Sequence, residues 1–380
     1  MTGSLRHAAG SLLVVGLGGP ELTGLERGWL RLVQPGGIIL FMRNITDAKQ
    51  TRILLEDATS LCVPNSVRCV DVEGGTVNRL RNALAPMPSV QAVGAAMRKT
   101  GKTALARQHG DLTARAVKAF GFNTTLAPVV DLALPESAEV MGSRTAAIDA
   151  ANVVTFAHEF LAGVAANGVV SCGKHFPGLG GAASDTHFVT PEIGRHWNQI
   201  WDEDLVPYRE LHAAMPMIMM NHAAYPATPG KNWPASASAF WITTVLRKRI
   251  GYKGIILSDD LEMGGILKFI PVEEAVVEAV RAGSDLLEIC HSAELILRSY
   301  EALIRESERS TVFRKLLLLR AREVARKQAR LYSKRVRSAL TPGQFEALRA
   351  RVVQFRELIA AYAVAGDAVA PRAAAPAETS

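Results

Sequence analysis

Asp185 and His187 stand two positions apart, close to the end of a stretch that runs Lys174-His175-Phe176-Pro177-Gly178-Leu179-Gly180-Gly181-Ala182-Ala183-Ser184-Asp185-Thr186-His187. In an extended segment, positions i and i+2 point to the same side. A carboxylate there can accept a hydrogen bond from one imidazole nitrogen and fix the tautomer. The other nitrogen is then free to move a proton near neutral pH. An isolated Asp-x-His is more often plain loop, so the surroundings have to carry the argument. Lys174 and His175 arrive at the end of an apolar run, Gly168-Val169-Val170-Ser171-Cys172-Gly173, that reads as a buried strand. The Pro-Gly-Leu-Gly-Gly segment after it suits neither helix nor strand.

A second stretch, Gly254-Ile255-Ile256-Leu257-Ser258-Asp259-Asp260-Leu261-Glu262-Met263, ends another apolar run with two adjacent carboxylates. Their side chains point in opposite directions along a strand. One can face a pocket while the other holds a loop, although capping of the next helix would use such a pair as well. Further charges gather in Asp71-Val72-Glu73-Gly74-Gly75, in Arg79, and in Met141-Gly142-Ser143-Arg144-Thr145.

The elements that position these residues follow from hydrophobic patterning. Strands are expected at Leu12–Gly16, Gly37–Phe41, Val67–Asp71, Thr124–Pro128, Val169–Gly173, Met217–Asn221, Gly254–Ser258 and Asp285–Cys290. Stretches long enough for helices lie between most of them, as at Asp47–Cys62, Thr103–Phe120, Asp149–Asn167, Ser238–Ile250 and Val272–Ala282. Eight strands with helical connections predict an α/β fold, a (β/α)8 TIM-type barrel, with a doubly wound open sheet as the alternative. The polar residues favour the barrel. Arg43, Asn44, Asp71, Asp131, Lys174, His175, Asn221, His222, Asp259 and Asp260 all follow a strand, and only a barrel gathers every strand C-terminus on one face.

The fourteen residues from Lys174 to His187 resemble the signature loop of the family 3 glycoside hydrolases, in the branch of β-N-acetylglucosaminidases that recycle cell-wall sugars. That family carries Lys-His-Phe-Pro-Gly-His-Gly and then Asp-Ser/Thr-His; Leu179 stands here for the usual second histidine. Ser258-Asp259-Asp260-Leu261-Glu262-Met263 resembles the family's nucleophile segment, Asp71-Val72-Glu73-Gly74-Gly75 with Arg79 a binding segment, and Gly142-Ser143-Arg144-Thr145 another. Thr76 replaces an arginine common in the family. The resemblance covers roughly Gly36 to His291.

The resemblance implies that Asp259 attacks the anomeric carbon while His187, oriented by Asp185, serves as acid and then base. It implies that Asp71, Arg79, Arg144, Lys174 and His175 hold the sugar. Retention needs this division of labour, a nucleophile below the ring and a proton donor at the leaving oxygen. An imidazole in place of the usual second carboxyl titrates near neutral pH without being shifted there. The implied activity is exo-cleavage of terminal β-linked N-acetylglucosamine from muropeptides through a glycosyl-Asp intermediate. Two readings stay open beside it: a phosphorylase, since a neutral histidine would not repel phosphate, and a non-catalytic glycan-binding protein.

The totals are compatible with that reading. The 380 residues are 48% hydrophobic, and the expected organisation is a barrel over residues 1–300, packed helices over 301–362 and an Ala/Pro-rich disordered tail over 363–380. No Rossmann or Walker loop and no zinc spacing is present, so no cofactor and no metal are expected. Cys62, Cys69, Cys172 and Cys290 are scattered and read as reduced thiols of a cytoplasmic protein. No run reaches the ~18 apolar residues of a membrane span. The apolar run Ser11 to Gly19 lacks a cleavage pattern and reads as a first strand. The net charge of +7 is concentrated between Arg305 and Arg337, with 12 Lys/Arg against 3 Asp/Glu. A solvated helix surface accounts for that stretch; no nucleic-acid partner is expected, and the chain is expected to act on carbohydrate as a monomer.

Overall fold

The computed structural model describes residues 5–186, 189–333 and 339–364. Eight parallel strands close into a barrel. In chain order they are β1 (Leu13–Val15), β2 (Gly37–Ile39), β3 (Val67–Val70), β6 (Thr124–Thr125), β7 (Val170–Phe176), β8 (Met217–Met220), β9 (Ile255–Asp260) and β10 (Leu286–Ile289). A small antiparallel hairpin, β4 (Val72–Gly74) with β5 (Val77–Asn78), stands outside the ring just after β3. Because β1 pairs with both β2 and β10, the sheet has no edge, which excludes the open doubly wound alternative.

All eight expected runs are strands, with boundary differences that have local causes. The run Thr124–Pro128 contracts to two residues, because Pro128 has no N–H to give the ladder. β7 extends past Gly173 to Phe176, so Lys174 and His175 belong to the strand. The strand interiors are apolar and buried, from Leu13, Val14 and Val15 to Leu286, Leu287 and Ile289. Continuous apolar runs of this kind suit parallel strands covered on both faces.

The connecting helices start where polar caps allow. Asp47 accepts the N–H groups of Lys49 and Gln50 ahead of Ala48–Thr59, and Asp149 that of Asn152 ahead of Ala150–Ala166. The helix expected over Ser238–Ile250 is present as Phe240–Arg249, wound with wide i→i+5 turns. Beyond the last strand, where packed helices were expected over 301–362, the chain forms Ala293–Arg309 and Thr311–Tyr332, which meet at Ser310. The Ser310 hydroxyl leaves helical geometry to accept the N–H of Phe313 and cap the second helix.

That second helix explains part of the basic stretch. Phe313, Leu317, Val324, Gln328 and Tyr332 are buried along one face. Its C-terminal half lies across the end of the barrel where strands begin. Tyr332 Oη is 2.9 Å from Thr124 Oγ1, Gln328 donates to Gly36 O at 2.8 Å, and Lys327 to Asp285 at 2.8 Å. Lys334, Arg335 and Arg337 fall outside the described residues. The last helix, Pro342–Val364, packs on Val90–Thr100 and Ala104–Ala119, burying Leu348, Val352, Phe355 and Ile359. Most of the tail expected over 363–380 also lies outside the described residues. Among those described, no helix is long and apolar enough to cross a membrane.

Candidate active site

Lys174, near the C-terminal end of β7, is the hinge of a polar network on the face where the strands end. Its ammonium is 2.6 Å from Asp71 Oδ1 and 2.6 Å from Glu73 Oε1. Asp71 follows β3, and Glu73 lies on β4. Arg144 grips Glu73 with two bonds of 2.9 Å, a planar fork on a planar carboxylate. Arg144 Nη2 also lies 3.1 Å from His175 Nε2, and His175 Nδ1 lies 2.7 Å from Asp131 Oδ2. Guanidinium nitrogens only donate, so Nε2 accepts and the ring proton sits on Nδ1, facing Asp131. Asp131 further accepts the N–H of Leu179 at 2.8 Å. The peptide bond between Lys174 and His175 is cis. Arg79 approaches Asp71 at 3.9 Å and lies over the Phe41 ring beside Arg43.

Charge in this network is balanced internally. Burial alone would push the Glu73 carboxyl up, but Arg144 and Lys174 outweigh it and hold Glu73 well below the usual carboxylate range. Burial would likewise lower Lys174 and Arg144, yet Asp71 and Glu73 hold Lys174 above the usual lysine value, and Glu73 does the same for Arg144. The side chains are therefore ion-paired and fixed in place before any ligand arrives.

The hairpin supplies Glu73 because glycine permits its turn. Gly74 has φ +110°, and a Cβ there would meet Pro88 O at 2.2 Å. Thr76 is exposed at the turn and Leu179 is buried, so neither departure from the family pattern breaks the network.

Asp259 and Asp260 end β9, two strands from β7 in the ring. Asp259 is half-buried, and its Oδ1 accepts the Asp260 N–H at 2.9 Å. Asp260 turns to the loop, accepting the N–H of Glu262 at 3.0 Å, and its carbonyl oxygen lies 2.9 Å from His222 Nε2. Burial and the Glu262 charge push Asp260 up to about 8. Glu262 accepts the N–H groups of Cys290, His291 and Ser292, which ties the β9 and β10 exits together. Among the described residues, Asp260, Glu262 and His291 are the group whose spacing admits a cation, with one ligand atom each within 4.8 Å of the others.

The glycine-rich stretch after β7 docks on the start of the short helix Gly264–Leu267. Gly265 N donates to Thr186 O at 2.8 Å, and Thr190 Oγ1 donates to Gly265 O at 2.6 Å. Asp185 is half-buried just before that dock. His187 lies outside the described residues. Of the sequence candidates, Asp71, Arg79, Arg144, Lys174 and His175 thus join one network, with Asp259 on the same face and Asp185 on the loop beside it.

Four residues of this face and the barrel interior were given no role from sequence. Glu73 sits inside a quoted motif and Asp131 at a strand end, which were the available signals. Asn221, without an assigned role, donates to His175 O at 3.1 Å and so steadies the network's histidine. Glu288 is a buried carboxyl in an apolar strand; its neighbours come from strands far away in sequence.

The profile of the glycosyl hydrolase family 3 N-terminal domain matches residues 5–324, beyond both ends of the stretch that the motifs cover. A β-hexosaminidase of Pseudomonas aeruginosa is 35% identical over 294 residues, which are 77% of this chain and 86% of that protein. The crystal structure of NagZ from Neisseria gonorrhoeae with N-trifluoroacetyl-D-glucosamine superposes with a TM-score of 0.74 at 30% identity, over 91% of this chain and 98% of that one. A family 3 β-N-acetylglucosaminidase from a Paenibacillus strain gives a TM-score of 0.82 at 29% identity, over 93% of this chain and 69% of that one. With the profile matched from before the first strand to past the last, and the β-hexosaminidase aligned over 86% of its own length, this chain belongs to glycosyl hydrolase family 3.

Proposed function

We propose that the chain is a retaining exo-β-N-acetylglucosaminidase that removes terminal β-linked N-acetylglucosamine from cell-wall fragments. The observation that carries the reading is the ion-paired cluster of Asp71, Glu73, Lys174, Arg144 and His175 on the barrel face that also holds Asp259. Such a cluster offers fixed acceptors and donors to the hydroxyls of a sugar, and it leaves a carboxylate near the ring. Relatives described as a β-hexosaminidase and a β-N-acetylglucosaminidase support an acetamido sugar.

In this reading Asp259 attacks the anomeric carbon while the His187 imidazole, oriented by Asp185, gives a proton to the leaving oxygen. The bond to the leaving group breaks as the glycosyl–Asp259 ester forms. His187 then takes a proton from water, which displaces Asp259 and restores both groups. Asp71 and Lys174 hold hydroxyls remote from the scissile bond, so their binding energy orients the ring for attack. We place the reaction in the cytoplasm, where four unpaired thiols persist.

The test is release of 4-nitrophenolate from the β-N-acetylglucosaminide and from the β-glucoside, with and without phosphate. Turnover of the acetamido sugar alone, unchanged by phosphate, is expected. Acceleration by phosphate with a sugar 1-phosphate as product would replace hydrolysis with phosphorolysis. Binding without turnover of either glycoside would leave a glycan-binding protein.

A further inference from the structure

β8 lies between β7, which carries Lys174 and His175, and β9, which carries Asp259. The two residues that follow β8, Asn221 and His222, are fully buried, and the reaction proposed above uses neither. Their side chains serve opposite neighbours. Asn221 Nδ2 donates to His175 O at 3.1 Å on the β7 side. His222 Nε2 lies 2.9 Å from Asp260 O on the β9 side, and its Nδ1 lies 2.7 Å from Ser236 Oγ. A carbonyl oxygen only accepts, so Nε2 carries a proton and donates. Ser236 is itself held, with its N–H donating to Asn221 O at 2.9 Å.

We propose that His222 is a positioning residue for the nucleophile: its bond to Asp260 O fixes the end of β9 and with it the line of attack of Asp259. The inference rests on the reading of the site given above.

The argument starts from where the sheet stops. The backbone ladder between β8 and β9 ends with Met220 opposite Ser258, one residue short of Asp259. Beyond that point the His222 side chain makes the link. On the other side of β9, Leu261 N–H donates to Glu288 O at 2.9 Å. The peptide between Asp260 and Leu261 is therefore gripped at its N–H from β10 and at its carbonyl from the β8 side. The peptide before it is tied to the nucleophile directly, since Asp259 Oδ1 accepts the Asp260 N–H at 2.9 Å. Asp260 O also accepts the N–H of Met263 at 3.0 Å, which closes the turn into the helix Gly264–Leu267. That helix receives the loop that bears Asp185, and a Cβ at Gly265 would lie 2.7 Å from Thr186 O and 3.2 Å from His222 Cβ. The His222 residue, the β9 exit and the loop dock thus meet at one place. A buried ring held at both nitrogens keeps a single orientation there. Nothing in this role requires the ring to change charge.

The experiment compares wild type, H222F, H222Q and S236A on 4-nitrophenyl β-N-acetylglucosaminide, with N-acetylglucosamine as competitive inhibitor and 15N spectra of the histidines. H222F is expected to lower kcat by about 10- to 100-fold, the scale of displacing a reacting group by up to an ångström. The inhibition constant should change by less than about twofold, because an interaction that only aims the nucleophile leaves ground-state binding alone. H222Q, whose amide can donate to the same carbonyl, is expected to recover most of kcat. Wild-type kcat in H222F would overturn the proposal, as would weaker inhibitor binding at unchanged kcat. An H222Q enzyme as slow as H222F would show that the imidazole is needed for more than its donor, and would overturn it as well. If H222F does not fold, S236A decides: loss of the second anchor of the ring should lower kcat several-fold with the inhibition constant unchanged, and wild-type kcat would sink the idea. Absence of turnover by wild type would count against the proposed activity. The 15N signals of His222 would still report the bond to Asp260, and a ring without a proton on Nε2 would overturn the inference by itself.

Discussion

Arg144 holds Glu73 through two parallel hydrogen bonds of 2.9 Å, and the same guanidinium reaches His175 at 3.1 Å. One side chain thereby ties the β4–β5 hairpin to β7. Removing it would leave the Glu73 charge buried with Lys174 as its one remaining ion-pair partner among the described residues. R144M is expected to lose about 3–5 kcal/mol of stability, the range for breaking one side of a buried pair. Urea unfolding of R144M beside R144M/E73L checks this. The double variant should recover much of the loss, because no buried charge is then stranded.

Glu73 also predicts an acid dependence. Its folded-state value lies below that of the unfolded chain, about 4.3 for a glutamate. Its contribution is therefore complete above that pH and is lost as pH falls toward the depressed folded value. Melting temperatures of wild type should drop more steeply than those of E73Q between about pH 5 and pH 3. Parallel slopes would mean that Glu73 is not held ionised by Arg144 and Lys174.

His109 offers a test behind the site. It is fully buried among Phe156, Phe160 and Phe355, and neither ring nitrogen has a hydrogen-bond partner. Burial holds its value down to about 4. An unfolded histidine titrates near 6.5, so between about 6.5 and 4 the unfolded state binds the extra proton and folding weakens as pH falls. H109F should be more stable than wild type by about 1 kcal/mol at pH 7, since an unpaired buried polar group is replaced by an apolar ring. The gap should widen as pH falls through that window, as read by chemical denaturation.

The dock of the loop that bears Asp185 depends on a missing side chain. A Cβ at Gly265 would lie 2.7 Å from Thr186 O and 3.1 Å from Val189 O. G265A should displace the loop while leaving the barrel intact. We expect kcat/KM to fall about 100-fold, the cost of misplacing a catalytic group by an ångström, with a melting temperature close to wild type. Equal losses in activity and stability would show that Gly265 serves packing alone.

The barrel was legible because each of its strands is an apolar run bounded by turn signals, and because charged residues followed those runs repeatedly. Asp71, Lys174, His175 and Arg144 were legible as types and as motif members. Their pairing was not, since Lys174 meets Asp71 across 103 positions of sequence and no local pattern encodes such a contact. Glu73 was hidden for the same reason: within its motif it reads as a spacer, and only Arg144 and Lys174 give it a purpose. Glu288 looked like a polar interruption of a strand. The hairpin after β3 was missed because its strands hold only three and two residues, too few to show alternation. The split at Ser310 was missed because a serine inside an Arg/Leu-rich helical pattern reads as tolerated, although it is a good cap.

The central claim is that Asp259 forms a bond to the sugar. The direct measurement is mass mapping of protein quenched in acid during turnover of an N-acetylglucosaminide, with the anomer of the first product read by NMR. The account predicts one acetamido-sugar increment on the peptide that contains Asp259, a β-configured first product, and neither from D259N. An inverted product without any adduct, or an adduct on another residue, would contradict it.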